Sequence, residues 1–160
     1  MLDRLRSPRA FKTLLNLWPP YLGAGIRIEH VGPDFRHIRV AMKLRWFNRN
    51  AVGTQFGGSL YSMTDPFLML MFLANLEGEH VVWDKAAEIE FVRPGKGVVR
   101  AEFRITEEDL QRLRDQTAEG EKYLPEFTVD VVDEAGEVVA RVKKQLYARL
   151  KRRAKETLVV

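Results

Sequence analysis

The sequence contains no cysteine, which excludes disulfide bonds, a thiol nucleophile and a metal site built on thiolates. A chain without cysteine fits the reducing cytosol, so we expect a cytoplasmic protein. Its histidines do not have the spacing of metal ligands, and we expect no metal site. The sequence also lacks a phosphate-binding loop, a dinucleotide-binding fingerprint and a nucleophilic serine motif.

Long apolar segments and a strong charge excess are missing as well. The longest apolar run, Pro66 to Ala74, is far shorter than the ~20 residues of a membrane-spanning helix. The start of the chain has no signal-peptide stretch. The formal net charge is only +4, and it comes from a basic segment over residues 149–155. We therefore expect no membrane span, no nucleic-acid partner, and a mobile basic tail at 151–160.

Length and composition indicate one folded domain. With 160 residues, of which 46% are apolar, the chain is long enough for one hydrophobic core and short for two. We expect a single domain over residues 1–150. Ser7-Pro8 begins a helical periodicity that predicts an N-terminal helix within residues 1–20, which Pro19-Pro20 ends.

Alternating apolar residues predict strands, and one continuous apolar segment predicts a buried helix. The alternation covers residues 26–28, 38–46, 81–91, 99–105, 123–131 and 138–148. The segment 57–76 is apolar almost all round, so we expect a long helix in the middle of the protein, kinked at Pro66. This order predicts an α+β fold in which an antiparallel sheet wraps around one central helix.

Two of these strands carry unusual detail. On the strand at 81–91, alternation predicts one apolar face made of Val81, Trp83, Ala87, Ile89 and Phe91. Lys85 is the one charged residue on this face. We expect Lys85 to pair with Asp65 or with another acid at the edge of the core. On the last strand the alternating residues are Val138, Ala140, Val142, Leu146 and Ala148.

Gly57 and Gly58 stand at the start of the central helix. Adjacent glycines there let another molecule approach the backbone and leave amide N–H groups unpaired. At the positive end of the helix dipole, such amides can bind a carbonyl oxygen that gains negative charge during a reaction. Close packing of the helix start against a strand is the other explanation of the two glycines.

Asp65 is the one acid within this apolar segment. Because buried acids are uncommon unless they are paired or functional, Asp65 is a candidate base or nucleophile, and a structural carboxylate is the alternative. Asp65 follows Gly57 by eight residues, a rise of roughly 12 Å in a continuous helix. Two antiparallel copies of the helix would bring the groups together, so we expect a homodimer or a dimer of dimers.

The spacing of these residues resembles that of a known superfamily. Asn50, Gly53, Gly57, Gly58 and Asp65 are followed by a strand that ends at Arg93-Pro94-Gly95. In this combination the chain resembles the hotdog-fold acyl-CoA thioesterases, in particular the branch of phenylacetate-pathway thioesterases and their uncharacterised relatives. The resemblance covers about residues 26–150. It implies a hotdog fold and hydrolysis of an acyl-CoA or acyl carrier protein thioester, with no cofactor apart from the coenzyme A of the substrate.

The resemblance also implies roles for individual residues. Asp65 would be the base or nucleophile, Gly57 and Gly58 would bind the thioester oxygen, and Asn50 would position the water or the carboxylate. Relatives usually carry histidine immediately before the glycine pair, where this chain has Phe56. The residues expected to contact substrate are Phe56, Ser59, Asp84, Lys85 and Arg93.

Three of these substrate contacts have a stated reason, and two other functions stay open. The segment Trp83-Asp84-Lys85 stands where relatives often have a small hydroxyl residue near the reaction centre, and Arg93 would meet the phosphates of coenzyme A. A non-catalytic acyl-CoA or lipid-binding module is the main alternative, because Phe56 lacks the polar group of histidine. A hydratase or dehydratase is a third hypothesis, although the sequence shows no helix-borne pair of histidine and acid.

Overall fold

The computed structural model describes residues 7–151. Of the predicted basic tail, all but Lys151 lies outside the described residues. The elements in chain order are α1 (Pro8–Asn16), α2 (Pro19–Ala24), β1 (Ile26–Val31), β2 (His37–Lys43), α3 (Gly57–Ser62), α4 (Phe67–Asn75), β3 (His80–Phe91), β4 (Val98–Arg104), α5 (Glu107–Thr117), β5 (Glu126–Val132) and β6 (Val138–Leu150). The six strands form one antiparallel sheet in the order β1-β2-β4-β5-β6-β3, as predicted.

The sheet packs its inward face against α4. Phe67 and Phe72 of α4 are buried, and their rings lie 4.9 Å from Phe103 of β4 and 5.6 Å from Phe127 of β5. An apolar helix needs cover on most sides, and the sheet supplies it. The predicted α+β architecture is therefore confirmed.

The predicted continuous helix over 57–76 is wrong, because the chain breaks it between Ser62 and Phe67. Pro66 has no N–H to donate to the helix, and the preceding residues close a tight turn. Asp65 N donates to Ser62 O over 3.3 Å. The rise of a continuous helix therefore does not describe the path from Gly57 to Asp65. Among residues 7–151 there is no helix long and apolar enough to cross a membrane.

Two predicted boundaries also differ from the structure. Pro19-Pro20 was expected to end the N-terminal helix, but it begins the second helix, α2. Proline suits the first turn because the fixed φ angle is helical and the missing N–H has no helical partner there. Strand β2 ends at Lys43, and Trp46 lies in the following loop with 81% of its surface exposed.

Strand β3 contains an irregularity that the sequence pattern does not reveal. The pairing of β3 with β6 shifts between Asp84 and Ala86. As a result His80, Val82 and Asp84 face inward before the shift, whereas the inward residues after it are Ala87, Ile89 and Phe91. The predicted single face is therefore wrong: Val81 and Trp83 point outward, and Lys85 is exposed at the bulge.

Candidate active site

Asp65 lies in the turn that joins α3 to α4, and 49% of its side chain is exposed. The expectation of a buried carboxylate is therefore wrong. Its Oδ1 atom is 3.4 Å from Nζ of Lys144, which also donates to the main-chain oxygen of Asp65 over 2.8 Å. Asp65 is thus open to solvent on one side and bound to a cation on the other.

Lys144 connects both carboxylates of the site. Its side chain is fully buried on the inward face of β6, and its Nζ lies 2.9 Å from Oδ1 of Asp84. This second contact is an ion pair and not a hydrogen bond, because Oδ1 of Asp84 has no hydrogen-bond partner among the described residues. The Tyr61 ring lies 5.4 Å from the ammonium. The predicted pair between Lys85 and Asp65 is not formed, and Lys144 takes that place.

Asp84 faces inward from β3, and only 20% of its side chain is exposed. Burial raises the pKa of its carboxyl group, the close ammonium of Lys144 acts in the opposite direction, and the nearby charge of Asp65 raises the pKa further. Burial is the largest of these effects. Asp84 therefore keeps a proton to higher pH than a solvated aspartate does.

The charge of Asp65 also acts on two tyrosines, Tyr61 of α3 and Tyr21 of α2. Burial raises the pKa of Tyr61, the charge of Lys144 opposes this effect, and the nearby carboxylate of Asp65 adds to it. Tyr21 of α2 is buried, and its hydroxyl has no hydrogen-bond partner among residues 7–151. Burial and the charge of Asp65 both raise the pKa of Tyr21. Both hydroxyls are therefore protonated at neutral pH and are potential donors.

The glycine pair lies under two aromatic rings. A Cβ atom added to Gly57 would lie 3.0 Å from Cζ of Phe91, and one added to Gly58 would lie 2.6 Å from Cε1 of Phe56. Close packing under these rings is one reason for glycine at both positions, although the rings are the outer ends of exposed side chains. Within the described part of the chain, the amides of Gly57 and Gly58 have no hydrogen-bond acceptor, so they are also available to a ligand.

Asn50 makes its hydrogen bonds inside its own loop. Its Nδ2 donates to Thr54 Oγ1 over 2.9 Å and to Gln55 O over 3.3 Å, and its Oδ1 accepts from the amides of Val52 and Thr54. The side chain therefore shapes the loop that leads into α3. An open cavity of about 620 Å³ borders this loop, and its lining, Trp46 and residues 49–53, does not include Asp65.

The remaining predicted residues are dispersed. Ser59 is buried in α3, close to the glycines in sequence. Arg93 donates to Asp133 over 2.8 Å and lies 3.6 Å from Glu137, so both of its partners belong to the turn between β5 and β6. In residues 7–151, no three histidine or acidic side chains lie close enough together to hold a metal ion.

Sequence reasoning missed Lys144, Tyr61 and Tyr21. A signal for Lys144 was present, because it occupies the inward position between Val142 and Leu146 in the alternating pattern of β6. A lysine at such a position is rarely buried unless it is paired. Tyr21 offered no comparable signal, since its proximity to the charge of Asp65 depends on the packing of α2.

A protein family matches most of the chain. The family DUF4442, described as a domain of unknown function, matches residues 7–148. This chain belongs to the DUF4442 family. A search of curated proteins gives no match to this DUF4442 chain.

Solved structures resemble the DUF4442 chain over nearly its whole length. A Pseudomonas aeruginosa protein of unknown function, named a probable thioesterase, has a TM-score of 0.81 at 24% identity and covers 91% of this chain and 99% of its own. A thioesterase from Haemophilus influenzae has a TM-score of 0.65 at 15% identity, with 90% and 91% covered. The E. coli PaaI protein of the phenylacetic acid degradation operon has a TM-score of 0.57 at 15% identity, with 87% and 89% covered. These likenesses confirm the predicted hotdog fold.

Proposed function

We propose that this DUF4442 protein hydrolyses the thioester of an acyl-CoA or of an acyl carrier protein. The observation that carries the proposal is Asp65, a carboxylate that is 49% exposed and yet bound by the buried cation of Lys144. Such a group is accessible to a substrate and held in a defined position, which general base or nucleophilic catalysis requires. The thioesterase names of proteins with the same fold support this reading.

Asp65 would act in one of two ways. As a base, it takes a proton from a water molecule that adds to the carbonyl carbon. As a nucleophile, it forms an acyl-Asp65 anhydride that water then hydrolyses. In both cases the carbon–sulfur bond breaks, the thiolate takes up a proton, and the products are a carboxylic acid and a thiol. The chemistry needs no metal or redox cofactor.

The free amides of Gly57 and Gly58 would stabilise the oxyanion of the intermediate. We propose that the partner subunit supplies them in a homodimer or a dimer of dimers. The location of Gly57 supports this arrangement, because it packs against Phe91 at the end of the edge strand β3. Asn50 would contribute indirectly, by holding the loop that leads into α3.

The substrate contacts are proposed on the same basis. The exposed ring of Phe56 and the adjacent Ser59 lie at the glycine pair, where they would contact the acyl group. Lys85 is exposed on β3 and is free to meet a phosphate of coenzyme A. A phosphate bound by Arg93 would have to compete with Asp133 and Glu137.

The test is hydrolysis of a panel of acyl-CoA thioesters by the wild type and by Asp65→Asn. The amide keeps the shape of the side chain and removes the base, so kcat should fall by at least about 10²-fold with little change in acyl-CoA binding. Asp115→Asn, an exposed carboxylate on α5, is the matched control and should keep full turnover. Near-complete activity in Asp65→Asn, with unchanged stability, would show that Asp65 is structural.

A non-catalytic module that binds acyl-CoA or lipid is the second candidate. The observation that favours it is Phe56, which occupies the N-cap position of α3. Its ring can neither donate nor accept a hydrogen bond. In this case the fold, the glycines and Asp65 would hold an acyl group without turning it over.

A further inference from the structure

A fully buried lysine on an apolar strand face needs an explanation. Lys144 lies between the buried residues Val142 and Leu146 on β6, and its side chain has no exposed surface. Taking an ammonium out of water is costly, and well-packed apolar residues often stabilise a core as much as a buried ion pair does. Stability alone is therefore a weak reason for a cation at this position.

The contacts of Lys144 converge on one residue of the turn. Its ammonium donates to the main-chain oxygen of Asp65 over 2.8 Å and lies 3.4 Å from the carboxylate of the same residue. Oδ1 of Asp84 lies 2.9 Å from the same ammonium and forms an ion pair with it. Lys144 thus binds the backbone and the side chain of Asp65 at the point where α3 has ended and α4 has not begun.

We propose that Lys144 is a positioning residue that fixes the Asp65 carboxylate for catalysis, and that Asp84 balances its buried charge. This inference rests on the proposed thioesterase function. A turn outside regular helix does not define the direction of its side chains by itself, so the ammonium of β6 supplies the constraint. A displacement of about 1 Å at a reacting group can cost 10²-fold in rate.

A purely structural role makes a different prediction. If Lys144 only neutralises Asp84, then removing both charges together should restore stability and turnover. If Lys144 positions Asp65, removing both should restore stability alone. The decisive comparison is therefore Lys144→Met/Asp84→Asn against Asp84→Asn, because both proteins lack the Asp84 charge and differ only in the lysine.

The experiment measures urea unfolding, kcat and KM for acyl-CoA in these two variants, with Lys143→Met as the control. Lys143 neighbours Lys144 but is 67% exposed and lies 3.8 Å from Glu88, so its loss should change none of the three quantities. The double variant should fold about as stably as Asp84→Asn. Its kcat should be about 10²-fold lower, with KM within about threefold. Equal kcat values in the two variants would overturn the proposal.

A crystal structure of each variant gives a readout that does not depend on turnover. We expect the Asp65 carboxylate to leave its wild-type position, or to take several conformers, in the double variant but not in Asp84→Asn. An unmoved Asp65 in both would overturn the positioning role. If the wild type hydrolyses no acyl-CoA, the proposed function fails, and these two structures alone decide the role of Lys144.

Discussion

The two aspartates of the site differ in how much water reaches them. Asp65 exposes 49% of its side chain, whereas Asp84 exposes 20%, although both lie within 3.4 Å of the same ammonium. Burial raises the pKa of Asp84 in spite of the charge of Lys144. Under the proposed function, the more exposed Asp65 is therefore the carboxylate that a substrate would reach.

Phe56 is the residue that separates the two candidate functions. If the glycine amides alone polarise the thioester, an aromatic ring at this position is tolerated. Phe56→His should then change the rate of acyl-CoA hydrolysis by only about tenfold, roughly 1.4 kcal/mol in activation free energy. The measurement is hydrolysis by wild type and variant side by side, with acyl-CoA binding followed in parallel.

The opposite result would favour the binding module. In that case the wild type binds acyl-CoA without turnover, and Phe56→His creates activity by restoring a hydrogen-bonding side chain. Phe47→His is a suitable control, because Phe47 is also an exposed aromatic residue (45% exposed) in a loop but does not precede the glycine pair. It should alter neither binding nor rate.

At the scale of helices and strands, the local sequence pattern predicted the elements whose alternation is regular along their whole length. The alternation of Ile38, Val40 and Met42 predicted β2, and all three are fully buried. The break at Pro66 was predicted only as a kink, because proline reduces helical hydrogen bonding but does not fix how far the helix is interrupted. The bulge at Lys85 has no sequence signature, since it depends on the register between β3 and β6.

The candidate site was predictable to the same limited extent. Gly57, Gly58 and Asp65 belong to one stretch of chain, so their spacing could be compared with that of a family. Lys144 reaches Asp65 from β6 across a separation of 79 residues. Such a contact is set by the tertiary fold, and single-sequence reasoning recovers it only through the odd position of a lysine on an apolar face.

The contact between β3 and α5 predicts a pH dependence of stability. His80 is buried, its Nε2 lies 2.9 Å from Thr117 Oγ1, and that hydroxyl donates to Leu113 O. Nε2 must therefore carry the proton, and the buried Nδ1 is left without a partner. Burial lowers the pKa of His80 first of all, with Arg114 and Lys151 acting in the same direction and Glu79 against it.

A lowered pKa means that the unfolded chain binds a proton more readily than the folded one. The free energy of unfolding should therefore be highest above the unfolded value of about 6.5 and should decrease as the pH falls below it. In His80→Gln, whose amide can donate to Thr117 but does not titrate, this part of the decrease should be absent. Urea unfolding between pH 5 and pH 8 measures the difference. His37, whose pKa is also lowered, is present in both proteins and cancels. Parallel curves for the two proteins would contradict the prediction.

At the scale of the whole molecule, the sheet has one long edge with apolar residues. In the described part of the chain, β3 pairs with β6 alone, and its second half leaves Ala87 and Phe91 exposed on the inward side. Open edges of this kind are sites of pairing with another chain. The edge therefore gives a structural reason to expect a dimer. From the sequence, the dimer was expected because of the length of a continuous helix.

We expect light scattering of the wild type to give at least the mass of a dimer. The measured mass of Ala87→Lys should be closer to that of the monomer. The substitution places a charge on the inward side of the edge, where it would be buried against the second copy. Thr128→Lys adds the same charge to an exposed position on β5, inside the sheet, and should leave the mass unchanged. If the partner's Gly57 and Gly58 complete the site, the Ala87→Lys monomer should also lose acyl-CoA hydrolysis at concentrations where Thr128→Lys keeps it. A stable wild-type monomer with full activity would rule out both the dimer and a site shared between subunits.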